Sequence, residues 1–434
     1  MKNTLRRACA PLLALAALLP GAFAEQLPPA ERGSVTTVVN VGVGWYQAAG
    51  EERREDSNAL ARALELAAPG CTVMVDPGNH PAFGIGFTDR RTQHSMGTGG
   101  TSMQPVVVRG RAGARIGTGY DFDTITIAQQ YPVGHIRFEN FEILASQRAG
   151  VIFYTPPPDG ANRGFEFIDC TIDGGYDHAL QAGRESKWGV LGHGLADFVF
   201  AGRIGRAAVR NIQHEHAFYI QNPRGDVTLE NIDGSRLGRT FVQVVAREKE
   251  GPPGRGKITV RGCHVEDTGL AGRDEHKGGT AFTFAGRLED CTILVEGCRY
   301  RAGFNRELTH LTRAGTPYGT SALVAWDGRE NRPNGALTLR DNHFEMAPGT
   351  GERPLVSIGA CRSVSIAGKN QFLAGGHPVA LAIDPVDGDG RPTGPLNGNV
   401  QVARETVLRG TLTIQGGEVD AAGRAELARG RIAH

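Results

Sequence analysis

The sequence predicts an all-β chain built as a solenoid: many short strands stacked in successive coils. Three observations predict it. Glycine is abundant, with 61 in 434 residues, and apolar residues alternate with polar ones in short runs, the pattern of strands joined by tight turns. One template recurs: IRFENFEI (136–143), FEFIDCTI (165–172), VTLENIDG (227–234), ITVRGCHV (258–265), ILVEGCRY (293–300) and LTLRDNHF (337–344), with AAVRNIQH (207–214) and VSIAGKNQF (364–372) also fitting. Between these units lie further strand-like runs: HALQA (178–182), HAFYI (216–220), TFVQVV (240–245), AFTFA (281–285), ALVAW (322–326) and LVSIG (355–359). A unit that recurs every roughly 20–45 residues and cannot bury its apolar face alone must stack on its neighbours.

Each template begins with apolar residues at positions one and three. Position five is Asn140, Asp169, Asn211, Asn231, Gly262, Gly297 or Asp341, the residue types that tolerate a left-handed backbone. Position six brings Cys170, Cys263 and Cys298 into one inward column, as small buried residues or as a bridge between Cys263 and Cys298.

The chain opens on MKNTLRRACAPLLALAALLPGAFAEQ. Lys2, Arg6 and Arg7 precede an apolar run too short to span a membrane, and Ala22-Phe23-Ala24 is a small-x-small cleavage signal. Residues 1–24 therefore read as a signal peptide, and the mature chain as secreted or periplasmic. No later segment approaches the length of a transmembrane span. Of seven cysteines, Cys9 lies in the leader, and Cys71, Cys170, Cys263, Cys291, Cys298 and Cys361 follow no zinc spacing.

Residues 25–55 lead into a short helix in DSNALARALELAAPG (56–70). Asp56 is its expected cap, Leu60, Leu64 and Ala67 its buried stripe, and Gly70 its stop. Placed before the first coil, it suits a plug on the open end of a solenoid. The stacked domain is expected over 56–420, with a tail at 421–434. This head, the glycine-rich stretch GTGGTSMQPVVVRGRAGARI (97–116) and the repeats together resemble the pectate-lyase-like (pectin lyase-like) superfamily over about residues 35–420. The resemblance implies a right-handed parallel β-helix with a short N-terminal capping helix, and a groove suited to an extended polysaccharide.

The charge balance, 47 basic against 46 acidic residues, provides no field for nucleic acid or an anionic membrane. Reactive side chains concentrate in the loops DGGYD (173–177), QHE (213–215), DGSRLGR (233–239), EDTGLAGRDEHKGG (266–279) and RAGFNRELTHLTRAGTPYGT (301–320). Aligning Ala179, Ala217 and Thr240 puts His178, His216 and Arg239 in one column. Tyr176, His214 and Arg236 then lie nearby, with Arg273, His276 and Lys277 one coil further on. Such a strip suits an acidic polysaccharide: arginine neutralises carboxylates and histidine or tyrosine moves protons. Within it, His214-Glu215-His216 reads as a metal-ligand pair, an acid–base device or ordinary turn chemistry, and the stretch alone leaves all three open.

By the resemblance, the reaction is lyase or C5-epimerase chemistry, which begins by removing the proton beside a carboxylate. The expected roles are Arg239 for neutralisation and His216 as base. Tyr219, His178 and Lys277 are candidates for the acid or for subsite binding, and Tyr176, His214, Arg236, Arg273 and His276 for substrate contacts. A glycoside hydrolase of β-helix type is an alternative, with Asp173, Asp177, Glu215 and Glu266 as available carboxylates. A non-catalytic carbohydrate-binding or scaffold protein is another. GHG (192–194) resembles a motif of polygalacturonase-type β-helix hydrolases, but the companion motifs of those enzymes are absent in the required order. No metal or cofactor is expected. Asp384, Asp387 and Asp389 form half of a calcium loop without its closing acid, so Ca2+ is a secondary expectation there. The stretch 247–257 reads first as a solvated charged loop on the opposite border of the same strands; as an alternative, its Arg247, Lys249, Arg255 and Lys257 reach over the groove.

Overall fold

The computed structural model describes residues 38–87, 94–130, 132–157, 160–271, 279–308, 321–330, 332–351, 353–385, 391 and 394–419. The segments expected as a leader, 1–24, and as a C-terminal tail, 421–434, lie outside them. Among the described residues the chain is almost entirely β, and most strands fall into three long sheets of 14, 13 and 11 strands. Within these three sheets pairing is parallel except at the ends. There Val38–Gly42, Trp45–Ala48 and Arg54–Glu55 pair antiparallel, as do Thr411–Ile414 and Gly417–Glu418. Strands therefore begin at Val38, inside the stretch expected only to lead into the helix.

The chain visits the sheets in rotation. Val227–Glu230 lies in the first sheet, Ile232–Leu237 in the 11-stranded second and Val242–Ala246 in the 13-stranded third. Arg255–Arg261, His264–Thr268 and Thr280–Gly286 repeat the circuit one strand further on. This arrangement is compatible with a β-solenoid.

Register follows the template. Val227 pairs with Ile258 and Leu229 with Val260; Ile258 pairs with Ile293, and Ile293 with Leu337. Val227, Leu229, Ile258, Val260, Leu337 and Leu339 are all buried. Their inward rows belong to one apolar core running from Val39 to Leu412. Aromatic rings stack within it: Phe138 on Phe167 at 5.1 Å, Phe167 on Phe200 at 5.9 Å, and Phe344 on Phe372 at 5.5 Å. Each ring removes large apolar area from water, which drives the stacking.

The seven template residues at position five all adopt left-handed backbone, with φ between +53° (Asn231) and +61° (Asn140). A β-carbon is strained there, so short polar residues and glycine dominate. Asn211, however, ends a second-sheet strand, Ala207–Ile212. The first-sheet strand of that circuit is Phe198–Ala201, paired with Phe165–Ile168 and Val227–Glu230. AAVRNIQH is thus out of phase with the other templates, because left-handed asparagine recurs at two different corners.

After the corner, His264 pairs with Arg299, which places Cys263 beside Cys298; both are buried, and all six described cysteines are free thiols. Further along this column the Cys298 amide donates to Asn342 Oδ1 (3.0 Å), and Asn342 Nδ2 donates to Asn370 Oδ1 (3.1 Å). The helix spans Ala59–Leu66 and buries Leu60 and Leu64 against the opening strands of the first and third sheets. Asp56 does not cap it. Asn58 holds the cap position without a side-chain bond to the helix, and Asp56 Oδ1 accepts the Asn58 amide at 2.7 Å instead.

On the solvent face of the first sheet, charge alternates from strand to strand. Arg261 Nε meets Glu296 Oε2 at 2.7 Å, Arg340 Nη1 meets Glu296 Oε1 at 3.1 Å, and Arg261 also approaches Glu230 at 3.8 Å. Arg109 and Glu139 form a further pair at 2.6 Å.

Candidate functional site

Strand alternation decides which groups reach the outer face of the third sheet. Val190, Phe218, Val242 and Phe282 pair in register and point inward, so Leu191, Tyr219, Gln243 and Thr283 form the next, outward column. Tyr219 is partly buried. Its ring lies 5.0 Å from that of His216 and 6.5 Å from that of Trp188, stacked on the latter at 19°.

Glu215 ties this centre together: its Oε2 lies 3.2 Å from His216 Nε2 and 2.8 Å from Arg239 Nη1. On the other side, Gln221 Nε2 donates to Glu250 Oε2 (3.0 Å), and Arg247 Nη1 meets Glu250 Oε1 at 3.3 Å. Burial pushes the Tyr219 phenol above its ordinary pKa. Arg247 pulls it back, Glu250 adds to the rise, and a bond to Gln221 and the charge of Arg239 also lower it. The result is a proton-bearing phenol within the field of two guanidinium groups, each paired with its own glutamate.

The expected single column of His178, His216 and Arg239 is not present. The third-sheet neighbour of Phe218–Gln221 is Trp188–His193, not HALQA. His178 instead sits in the turn between Tyr176–Asp177 and Ala182–Gly183, only 2% exposed, with Nε2 donating to the Ile212 carbonyl at 3.0 Å. Burial lowers its pKa to about 4. It is a buried pin, not a groove residue. A second slip separates the other two. Phe218 pairs with Val242, and the Arg239 amide donates to the Glu215 carbonyl, so Arg239 stands beside Glu215 and His216 beside Thr240. Both Phe218 and Phe241 are buried because the chain turns a corner between them, which hides the one-residue offset. His216 itself is 1% exposed, beneath the surface formed by its neighbours.

Of the expected substrate contacts, Tyr176 is half-buried and packs edge-on to His178 at 4.9 Å. His214 is exposed, and Arg236 lies on a second-sheet strand with φ +53°. Arg273, His276 and Lys277 lie outside the described residues. Among the alternative carboxylates, Asp177 Oδ1 is occupied by the Ala179 and Leu180 amides at 2.9 and 3.1 Å. Asp173 is also engaged: burial raises its pKa, but Asn211, the Gly175 amide and Arg210 outweigh that and hold it low. Glu266 is exposed on the second sheet, which leaves Glu215 on the third-sheet face. Asp384 Oδ1 accepts the Asn397 amide at 2.6 Å, while Asp387 and Asp389 lie outside the described residues. Among the described residues, no three histidine, cysteine or acidic side chains gather as metal ligands. Arg247 follows the third-sheet strand Val242–Ala246 and pairs with Glu250, whereas Arg255 and Lys257 belong to a first-sheet strand.

Three residues of the face were missed in the sequence. Trp188 and His193 lie on the strand WGVLGH, whose alternating run and GHG triplet were the available signals. His193 faces outward beside Gln221, and burial lowers its pKa. Glu250 lies in a charged insertion and carries no signal of its own. At the head of the same sheet a cleft of about 420 Å³ is lined by Phe87, His94, Asp121, Phe122, Asp123, Thr126 and Tyr154.

Compared with known proteins, the chain matches no family model, no curated protein and no solved structure.

Proposed function

We propose that this chain is an exported, right-handed parallel β-helix of the pectate-lyase-like kind, plugged by its helix at the N-terminal end. In this reading it acts on an acidic polysaccharide laid across the outer face of the third sheet, by lyase or C5-epimerase chemistry. The rotation of the chain through three parallel sheets around one core supports the fold, with the handedness that parallel crossovers favour. The observation that carries the activity is Tyr219 packed on His216, which Glu215 joins to Arg239, with Arg247 also acting on the phenol.

The chemistry needs a cation on the substrate carboxylate and a proton carrier beside C5. Arg239 and Arg247 lie where they can take the carboxylate, each turning from its glutamate. Tyr219 first passes its own proton to the imidazole of His216, whose cation Glu215 balances; the phenolate then takes the proton from C5, and the carboxylate holds the electron pair. In elimination that pair forms the C4–C5 double bond as the C4–O bond breaks, and the leaving oxygen takes a proton from an acid. In epimerisation C5 takes a proton back on its other face. Tyr219 is the proton-carrying group on the accessible side, and His216 stands behind it, bound to Glu215.

The test is to incubate the purified chain with alginate, polygalacturonate, glycosaminoglycans and a neutral glucan. Ultraviolet absorbance from unsaturated uronate ends, or exchange of the C5 hydrogen with deuterated water, is expected on a uronate polymer. Tyr219→Phe should reduce it by about 10²–10⁴-fold. Arg239→Lys should also be damaging, because an ammonium cannot reproduce the guanidinium fork. New reducing ends without absorbance would replace the lyase reading with hydrolysis, and binding without turnover would replace it with a carbohydrate-binding scaffold. Neither binding nor turnover across the panel would overturn the polysaccharide reading.

A further inference from the structure

The cleft at the head of the third sheet differs in character from the Tyr219 centre. Its exposed surface is aromatic: Phe122 is 62% and Tyr154 38% exposed. Arg148 lies 4.5 Å from the Phe122 ring and 5.3 Å from the Tyr154 ring. It is held there by Asp123, with Nε on Oδ1 at 2.8 Å, and by the Tyr154 hydroxyl at 2.6 Å. Both aromatic platforms are thus braced from one side by a fixed guanidinium. Phe87 and His94 form a stacked wall, their centroids 3.7 Å apart. Two carboxylates line the cleft against one guanidinium: Asp123 pairs with Arg148, and Asp121 accepts from the Thr118 amide and hydroxyl, so the local charge balance is negative.

These features select a ligand. The C–H face of a pyranose carries partial positive charge and lies well against the negative face of an aromatic ring. Its hydroxyls find an acceptor in Asp121, whose Oδ2 alone is engaged by Thr118, and a partner in Thr126, while Asp123 serves to hold Arg148. A uronate carboxylate would meet like charge. The cleft volume falls within the range of small-molecule sites, roughly 300–1,000 Å³.

The cleft is also continuous with the proposed active centre. Thr126 pairs with Ile152, Ile152 with Leu191 and Leu191 with Tyr219, all in one outward column. Three strand spacings separate Thr126 from Tyr219, about 14 Å. Ile152 and Leu191, packed with Trp188 and Tyr219, make the floor between them apolar.

We propose that the Phe122–Tyr154 cleft is a second sugar subsite that takes an uncharged pyranose of the same glycan, so that the substrate is a polysaccharide in which uronate and uncharged units occur together. This deepens the reading of the third-sheet face as a glycan path and rests on it. The glycan runs across the strands, along the stacking direction. The negative cleft then fixes which end of a mixed segment lies at the head of the sheet.

Titration calorimetry on the full chain tests it. The probes are neutral hexasaccharides of β-1,4-linked glucose, mannose and galactose, hexauronates of galacturonate and of alginate, and oligosaccharides alternating uronate with neutral hexose. At least one neutral hexasaccharide should bind. Phe122→Ala should weaken that binding by about tenfold, and Phe122→Trp should restore it. Because Phe122 is exposed, the substitution should leave the melting temperature nearly unchanged. The alternating oligosaccharide should bind more tightly than either homopolymer. Absence of neutral binding, or neutral binding that ignores Phe122, overturns the subsite. Uronate turnover that survives such a result leaves the activity reading standing. Conversely, Phe122-dependent binding without any turnover removes the activity and keeps the subsite.

Discussion

His178 is expected to make folding stability depend on pH, and the size of the effect follows from its surroundings. The imidazole is buried in a turn, with Nε2 donating to the Ile212 carbonyl. Burial disfavours the imidazolium most. The carbonyls of Ile212 and Arg236 favour it, the Arg236 guanidinium opposes it and Asp177 supports it; the balance leaves the group at about 4, against an ordinary 6.5. On acidification the unfolded chain therefore takes up the proton first. The contribution of His178 is complete above pH 6.5 and is lost as pH falls towards 4. That gap is worth about 3 kcal/mol between neutral pH and pH 4. His178→Gln keeps an amide able to donate to Ile212 but cannot titrate. Urea-unfolding midpoints at pH 7, 6, 5 and 4, followed by far-ultraviolet circular dichroism, should fall more steeply for the wild type than for the variant. The burial-lowered His193 and His264 contribute equally to both chains and cancel in the difference. Amide exchange of residues 173–184 should show the same divergence locally. Parallel midpoints in the two chains would refute the reasoning. Loss of turnover in a variant of unchanged stability would return His178 to the active site.

Asn140→Gly should be nearly neutral, whereas Asn140→Val should destabilise by about 1–2 kcal/mol, since φ is +61° there and a branched β-carbon is strained; thermal melts of the two variants decide it. Thiol titration of the denatured chain, without reductant, should find Cys71, Cys170, Cys263, Cys291, Cys298 and Cys361 all reactive, and a missing pair at Cys263 and Cys298 would contradict the free-thiol column.

The stacking of the chain was legible in its sequence because two physical signals coincide in each unit. An apolar pair at alternate positions marks the inward face, and a residue able to turn left marks the corner after it. Val227 and Ile258 were aligned correctly on those grounds alone. The same signal misled at Asn211, since a left-handed asparagine fits any corner and cannot say which sheet it closes. The third-sheet register was harder still. His178 precedes the apolar run HALQA, but those residues form a tight turn pinned by Asp177, and the paired strand comes later at Trp188. Tyr219, Arg239 and His216 were recognised as chemistry-bearing, yet their partnership through Glu215 depends on a one-residue offset that a corner conceals. Glu250 and Arg247 reach Tyr219 from an insertion, where no periodicity exists to place them.

The alternation of charge on the first sheet bears on how such a chain can grow. Glu230, Arg261, Glu296 and Arg340 occupy successive strands at equivalent positions, so that every step between them sets opposite signs side by side. Duplicating or deleting a single circuit between Glu230 and Arg340 would bring two like charges to adjacent strands, which a sheet penalises. Gain or loss of two circuits at once preserves the order. The ladder is a parity rule written on the surface: this stretch of the protein can lengthen or shorten in even steps, and an odd step demands a compensating change of charge.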